Sequence, residues 1–393
     1  MGMVSRPWKI ACALNHEYSV TIICSKFSHT RTCNPMLSRT VSSSVEFCFL
    51  STIVPLSIYA KLPRILQSIL FNISLFRFCL FDSGKPDLLI NSIPSHFQVF
   101  PARLLNVLYP RLIIITDIRD LWSYSVNHYH GGGVVQRLFC LIASRFFYFC
   151  EKSAINASTL VTSVFETKII SEYYQVPPDC FFLLRNGFGS DLAVNRQTLS
   201  KVPSCLDLPS NRGCSGNPLS FVYAGSLSSS IAFETFLNIF VDLCDSGVIF
   251  ARLYIASPTP LVLSPLQSEF VSWLGPLGQS ELVDLLSKSD VAVAKTNDSP
   301  VFLKGVSLTK YSDYMLSSLP ILDLVNCDST PVTQAQCGVH ALPTSRESIS
   351  QALLKINSIS RNDLLDLGVK GRSWALSNLD MELSVKMLLK RLP

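Results

Sequence analysis

SLTKYSDYMLSSLPILDL, residues 307–324, reads as an amphipathic helix that a proline stops and a buried strand follows. Leu308, Tyr311, Met315 and Leu319 recur at helical spacing and form one apolar stripe. Lys310, Asp313 and Ser317 share a different face. Ser307 is placed to cap the helix start, and Pro320 to end it. The run Ile321 to Val325 suits a strand buried on both faces, as in a parallel sheet. A cation at a helix start, with a carboxylate one turn on, matches two needs of a nucleotide. The lysine would meet a diphosphate, and the carboxylate would accept from ribose hydroxyls. A solvated i, i+3 ion pair accounts for the same two residues.

The stretch closes a series of strand–turn–helix units. Leu219 to Tyr223 reads as a strand, and Gly225-Ser226 sits at its turn, where backbone can approach a phosphate. Glycine at such a turn also serves packing alone. Strands are expected at 252–255, 270–274 and 290–294, the last ending at Lys295, with helices over 230–244 and 280–287. Gly275-Pro276-Leu277 follows the middle strand, and helices over 346–356, 361–370 and 378–391 end the chain.

Upstream, residues 192–218 are polar and rich in proline and glycine, the best boundary in the chain. The domains expected are residues 1–195, a linker 196–217, 218–375, and a final helix 376–393. Before the boundary the same alternation recurs. A helix over 5–14 leads to a strand at 19–24, a polar stretch over 25–45 and a helix over 58–81. Strands follow at 88–90, 111–116, 159–163 and 181–184, with helices over 97–108, 134–152 and 164–174 between them. This is an open parallel sheet, whose ligands lie at the carboxyl ends of its strands. Asp117, Arg119 and Asp120 crowd one such strand end; they read as a functional loop or as a structural ion-pair cluster. Asn186-Gly187 marks a turn.

Bulk properties narrow the partners. Of 393 residues, 48% are hydrophobic and only 16% charged, which favours large cores or a membrane-facing surface. Residues 1–195 carry a net charge of +6 and the remainder −1, so the first half suits an anionic partner. With no zinc-finger spacing or long basic run, phospholipid is favoured over nucleic acid. Thirteen scattered cysteines, none in a C-x-x-C pair, read as reduced thiols. The N-terminus does not read as a signal peptide, and no uncharged apolar run reaches the ~20 residues of a spanning helix. Lys61, Arg64 and Arg77 interleave with bulky apolar residues, as in an interfacial helix or a core helix with snorkelling cations.

Seven segments in order resemble family 4 (group 1) glycosyltransferases of the GT-B fold, the bacterial surface-polysaccharide type. They are KPDLLINSIPSHF (85–97), IIITDIRDLW (113–122), STLVTSVFETKII (158–170), LLRNGFGSD (183–191), FVYAGSL (221–227), LGPLGQSELVDLLSKSDVAVA (274–294) and SLTKYSDYMLSSLPIL (307–322). The resemblance implies an α/β protein with two doubly wound, Rossmann-like domains facing a cleft. It implies transfer of a sugar from a nucleotide-sugar to a saccharide acceptor, with no metal and no cofactor. Lys310 would then grip the donor diphosphate, and Asp313 would stand where the family carries a ribose-binding glutamate. Gly225 and Ser226 would lie under the phosphates, and Gly275 and Leu277 would line the base. Arg119, Asp117 and Asp120 would face the sugar, and His96 the acceptor.

Lys295 or Lys304 would replace a basic residue missing after FVYAGSL. The family's first strand has no counterpart here, which leaves a start upstream or a degraded protein as readings. A lipid-linked acceptor and peripheral attachment to the cytoplasmic face of a membrane would explain the basic, aromatic helices. A non-catalytic GT-B-like partner subunit or remnant, and a GT-B sugar-nucleotide epimerase, are the competing readings.

Overall fold

Aliphatic runs broken by glycine, proline and polar turns fold as parallel strands, and the amphipathic runs between them fold as crossover helices. The computed structural model describes residues 6–25, 45–50, 62, 64–81, 85–93, 96–128, 133–189, 216–227, 231–343 and 345–393. At residues 49, 64, 65 and 96 it describes the backbone alone. Residues 26–44 of the polar stretch, most of the boundary, Lys61 and the side chain of His96 therefore lie outside the described residues. The chain forms two units, one of residues 6–185 with 385–393, the other running from Asn186 to Ser384.

The first unit contains β1 (Thr21–Ser25) paired in parallel with β2 (Glu46–Leu50). It also contains a parallel sheet in the order β3 (Leu88–Ile93), β4 (Ile113–Ile118), β5 (Leu160–Ser163), β6 (Phe181–Leu183). The register sets Ile115 beside Leu160 and Ile90 beside Ile115. One face of this sheet buries Ile115 and Leu160 with Leu388 from the chain end. Other side chains of β4 and β5 pack on the crossover helices, Ile114 with Leu105 and Cys79, and Val161 with Ile155 and Ile170.

The second unit holds one six-stranded parallel sheet. Its strands are β7 (Leu219–Ala224), β8 (Ala251–Ala256), β9 (Val271–Gly275), β10 (Val291–Lys295), β11 (Ile321–Leu324) and β12 (Gly338–Ala341). Their order in space is β12-β11-β10-β7-β8-β9. The chain winds outward one way from β7 to β9, then returns and winds the other way from β10 to β12. The strand order reverses between β7 and β10, where a doubly wound sheet opens a crevice at its carboxyl edge. Alternation along β7 sends Phe221 and Tyr223 into a core on one face and Val222 into a core on the other.

Several expectations shift. The helix expected over 307–319 spans Thr309–Leu316. Leu308 precedes it without a side-chain cap, and the Ser307 hydroxyl instead accepts a bond from the Asn186 backbone at 2.8 Å. Pro320 is not what stops the helix. Ser318 adopts a left-handed conformation (φ 52°); its N–H donates to Met315 O, and that of Leu319 donates to Tyr314 O. This is a Schellman ending with serine in the usual glycine place. The helix expected from residue 230 starts at Phe233, behind a left-handed Ala232. The Asn186-Gly187 pair does not form the turn expected of it. A Cβ on Gly187 would lie 2.0 Å from the carbonyl oxygen of Leu379, so the backbones cross there in contact.

Candidate donor-phosphate site

Gly225 directly follows β7, at the reversal of strand order. Its φ is +145°, a conformation that favours glycine. A Cβ at this position would stand 3.2 Å from Lys310 Nζ and 3.5 Å from the Tyr223 hydroxyl. The structure therefore brings the βα turn and the helix lysine together. The lysine comes from the first turn of the helix Thr309–Leu316.

Two tyrosines one turn apart fix that helix. The Tyr314 hydroxyl accepts from the Ala224 N–H at 2.9 Å, next to Gly225. The Tyr311 hydroxyl donates to buried Asp323 on β11 at 2.7 Å. Asp323 also accepts from Thr330 Oγ1 at 2.7 Å and faces His340 Nδ1 at 3.1 Å. The apolar stripe read from the sequence is thus a buried face, with Met315 and Leu319 in the core beside the two tyrosines. Lys310 is thereby held at the carboxyl edge of β7, beside Gly225.

Among the described residues Lys310 forms no ion pair, and its ammonium donates no hydrogen bond. Nζ instead lies 3.9 Å above the centre of the Tyr223 ring. The ring's negative face partly compensates the charge. The lysine keeps some exposed surface, yet the dense surroundings lower its pKa from 10.5 to about 7 by desolvation. The solvated Lys310–Asp313 pair is absent, although Asp313 does have a partner of its own. A cation held beside a glycine turn without an anion is suited to receive one.

The remaining candidates separate. Ser226 is exposed, and its carbonyl accepts from the Tyr223 hydroxyl at 2.8 Å, which folds the turn back over the ring. Gly275 ends β9 with φ +70°, and half-buried Leu277 packs against the core that holds Tyr311. Lys295 is fully buried at the end of β10. Its ammonium donates to the carbonyls of Pro343 (2.6 Å) and Thr296 (3.1 Å), and burial lowers its pKa to about 8. Those bonds occupy two of its three donors, so this lysine ties a loop to the sheet. Lys304 lies in a short 3₁₀ turn, Pro300–Lys304.

In the other unit, Asp117 is buried at the end of β4. Arg6 grips it with two bonds of 2.7 and 2.9 Å, and Thr162 donates to it at 2.7 Å. This ion pair gives Asp117 a structural role. Arg119 is half-buried and Asp120 exposed. Enough protein surrounds Asp120 that desolvation raises its carboxyl pKa, opposed by Arg119. His96 begins a 3₁₀ turn after β3.

Sequence reasoning missed Tyr223 as the floor under the lysine, because an aromatic in a strand reads as core. It missed Arg6, whose carboxylate lies 111 residues away. It also missed Asn186, whose side-chain amide donates to the Ser307 carbonyl at 2.6 Å and braces the approach to the lysine helix.

Neither a family model nor a curated protein matches the sequence. Solved structures match at full length. Sucrose-phosphate synthase from Thermosynechococcus elongatus is similar at a TM-score of 0.68 and 14% identity, over 98% of this chain and 91% of that one. A trehalose-6-phosphate protein from E. coli bound with UDP-2-fluoro glucose matches at 0.63 and 10%, over 100% and 96%. WaaG, a glycosyltransferase involved in lipopolysaccharide biosynthesis, matches at 0.58 and 13%, over 98% and 94%. The chain has the GT-B fold. Within that fold, the reversal of strand order in the six-stranded sheet is where Gly225 and Lys310 meet.

Proposed function

We propose that this GT-B protein is a glycosyltransferase that moves a sugar from a nucleoside-diphosphate sugar to a saccharide acceptor. The observation that carries the reading is the Lys310 ammonium, which has no ion-pair or hydrogen-bond partner among the described residues, lies over the Tyr223 ring and stands 3.2 Å from where a Cβ on Gly225 would be. A diphosphate seated on the Gly225 turn would meet this charge. As the glycosidic bond breaks, negative charge grows on the leaving diphosphate, and the lysine would stabilise it. The lysine, not a metal, is taken as the compensating charge. Asp313, one turn along the helix, is proposed for the ribose hydroxyls, with Gly275 and Leu277 for the base. The likeness to WaaG supports a lipid-linked acceptor in lipopolysaccharide, O-antigen or capsule assembly, at the cytoplasmic face of a membrane.

The attachment proposed is peripheral; no described helix is long and apolar enough to cross a membrane. A non-catalytic, nucleotide-sugar-binding role is the second reading, favoured by the engagement of Asp117 with Arg6 and of Lys295 with carbonyls.

Calorimetric titration with uridine and guanosine diphosphates and their sugars tests the site. Wild-type protein binds one of them, and Lys310→Ala loses at least tenfold in affinity, the scale of one charge-assisted contact. Unchanged affinity in Lys310→Ala would remove the reading. Transfer of labelled sugar to a membrane extract then separates enzyme from binder.

A further inference from the structure

Over residues 134–149 the helix Val134–Asn156 is inside out, while its last two turns bury Cys150, Ala154 and Ile155. In a globular protein the apolar stripe of a surface helix faces the core and its polar face meets water. Here two polar side chains, Ser144 and Glu151, point inward. Ser144 is buried and donates to the Ser123 carbonyl at 2.8 Å. Glu151 is fully buried; it accepts from the Ser123 N–H and hydroxyl and from the Tyr174 hydroxyl. The apolar side chains point out. Val134 is 83% exposed, Leu138 58%, Phe139 65%, Ile142 61% and Phe149 65%, with Phe146 beside them. From Val134 to Phe149 this ridge runs about 22 Å.

The neighbouring helices also expose apolar side chains. Phe97 touches Phe146 with ring centres 6.0 Å apart. The helix Val99–Leu108 exposes Phe100 and Val107, and the helix packed on it, Arg64–Phe81, exposes Phe76 and Leu80. The charges on these faces are all of one sign. Arg77, Arg103, Arg137 and Arg145 are exposed, and residues 64–81, 99–108 and 134–150 contain no Asp or Glu. Leaving such a patch in water has a large hydrophobic cost, so it marks a contact surface. A second copy would set arginine against arginine. An anionic bilayer matches both features, with apolar side chains in the acyl boundary and guanidinium groups among headgroup phosphates.

We infer that the Val134–Phe149 ridge is a membrane-docking surface for anionic phospholipid. The inference deepens the glycosyl-transfer reading, which supplies the purpose: a lipid-borne acceptor.

The test is sedimentation of the full-length protein with phosphatidylcholine vesicles, with and without phosphatidylglycerol. The protein is expected to sediment with the anionic vesicles and to be released by salt. Leu138→Glu with Ile142→Glu lowers the bound fraction by an order of magnitude or more, without lowering Tm, since both residues face solvent. Arg137→Gln and Arg145→Gln weaken anionic binding about fivefold each. Nucleotide titration of the same preparation keeps the two readings apart. Protein that binds nucleotide yet stays in the supernatant with every vesicle overturns the docking surface and spares the donor site. So does a dimer, seen by light scattering, that the glutamate pair dissolves while vesicle binding is unchanged.

Discussion

Lys310 shows how one residue's setting determines its chemistry. Desolvation brings its pKa down to about 7, because the fold surrounds the ammonium with Tyr223, the Gly225 turn and no carboxylate partner. In the unfolded chain the group titrates near 10.5, so between about 7 and 10.5 the unfolded state binds the extra proton. Stability contributed at this position therefore rises with pH across that window. Anion binding has the opposite sign, because a diphosphate needs the charged form. Calorimetric affinity for the donor is expected to fall as pH rises from 7 to 9, and Lys310→Arg, whose charge persists, should flatten the slope. A wild-type affinity flat over that range would mean the bound anion does not touch this lysine. At this scale the sequence was partly informative. A glycine after a strand and a lysine at a helix start are local signals, and the fold brings them into contact. Lys295 carried the same local signal, but its partner, the Pro343 carbonyl, lies 48 residues on and left no trace in spacing.

Periodicity locates an element more reliably than it orients or ends one. The strands at 113–118, 160–163 and 219–224 stood out because runs of aliphatic and β-branched residues buried on both faces have few other places to go. Helix ends were less legible. Ser318 stops its helix through backbone bonds that serine side-chain chemistry does not announce. Least legible was the direction of the helix Val134–Asn156, since a stripe of Val, Leu, Ile and Phe looks the same whether it faces a core or a bilayer. What orients it is Glu151. With Glu151→Ala, the Ser123 N–H and hydroxyl and the Tyr174 hydroxyl lose their buried acceptor, a cost of about 3 kcal/mol. The variant should melt several degrees lower, and Glu151→Gln, which keeps one acceptor, should fall between. Proteolysis should then cut first near the short helix Trp122–Asn127, which Ser123 anchors. A melt unchanged by Glu151→Ala would show that the inward polar face is not what holds the helix.

Among the described residues the two larger sheets follow one rule, strand, turn, helix, repeated with different carboxyl-edge loops. The connection between sequence and unit is less simple, because the last helix, Met381–Leu389, begins in the unit of residues 186–384 and ends in the other. Residues 385–393 belong structurally with residues 6–185, which are remote in sequence. Leu388 is 1% exposed and packs on Ile115 of β4 and Leu160 of β5. Arg391 holds the tail in place, donating to the carbonyls of Phe181 (3.1 Å) and Asp179 (2.9 Å). These contacts are confined to one unit, so a lesion there should be felt unequally. Leu388→Ala empties a buried side-chain volume and costs about 2–5 kcal/mol. For units of roughly 200 residues, that lowers a melting transition by about 5–15 °C. Scanning calorimetry should show the transition of residues 6–185 moving down. The other transition, identified as the one that nucleotide raises, should stay in place. If both transitions move together by the same amount, the two units unfold as one cooperative body and the tail stabilises the entire chain.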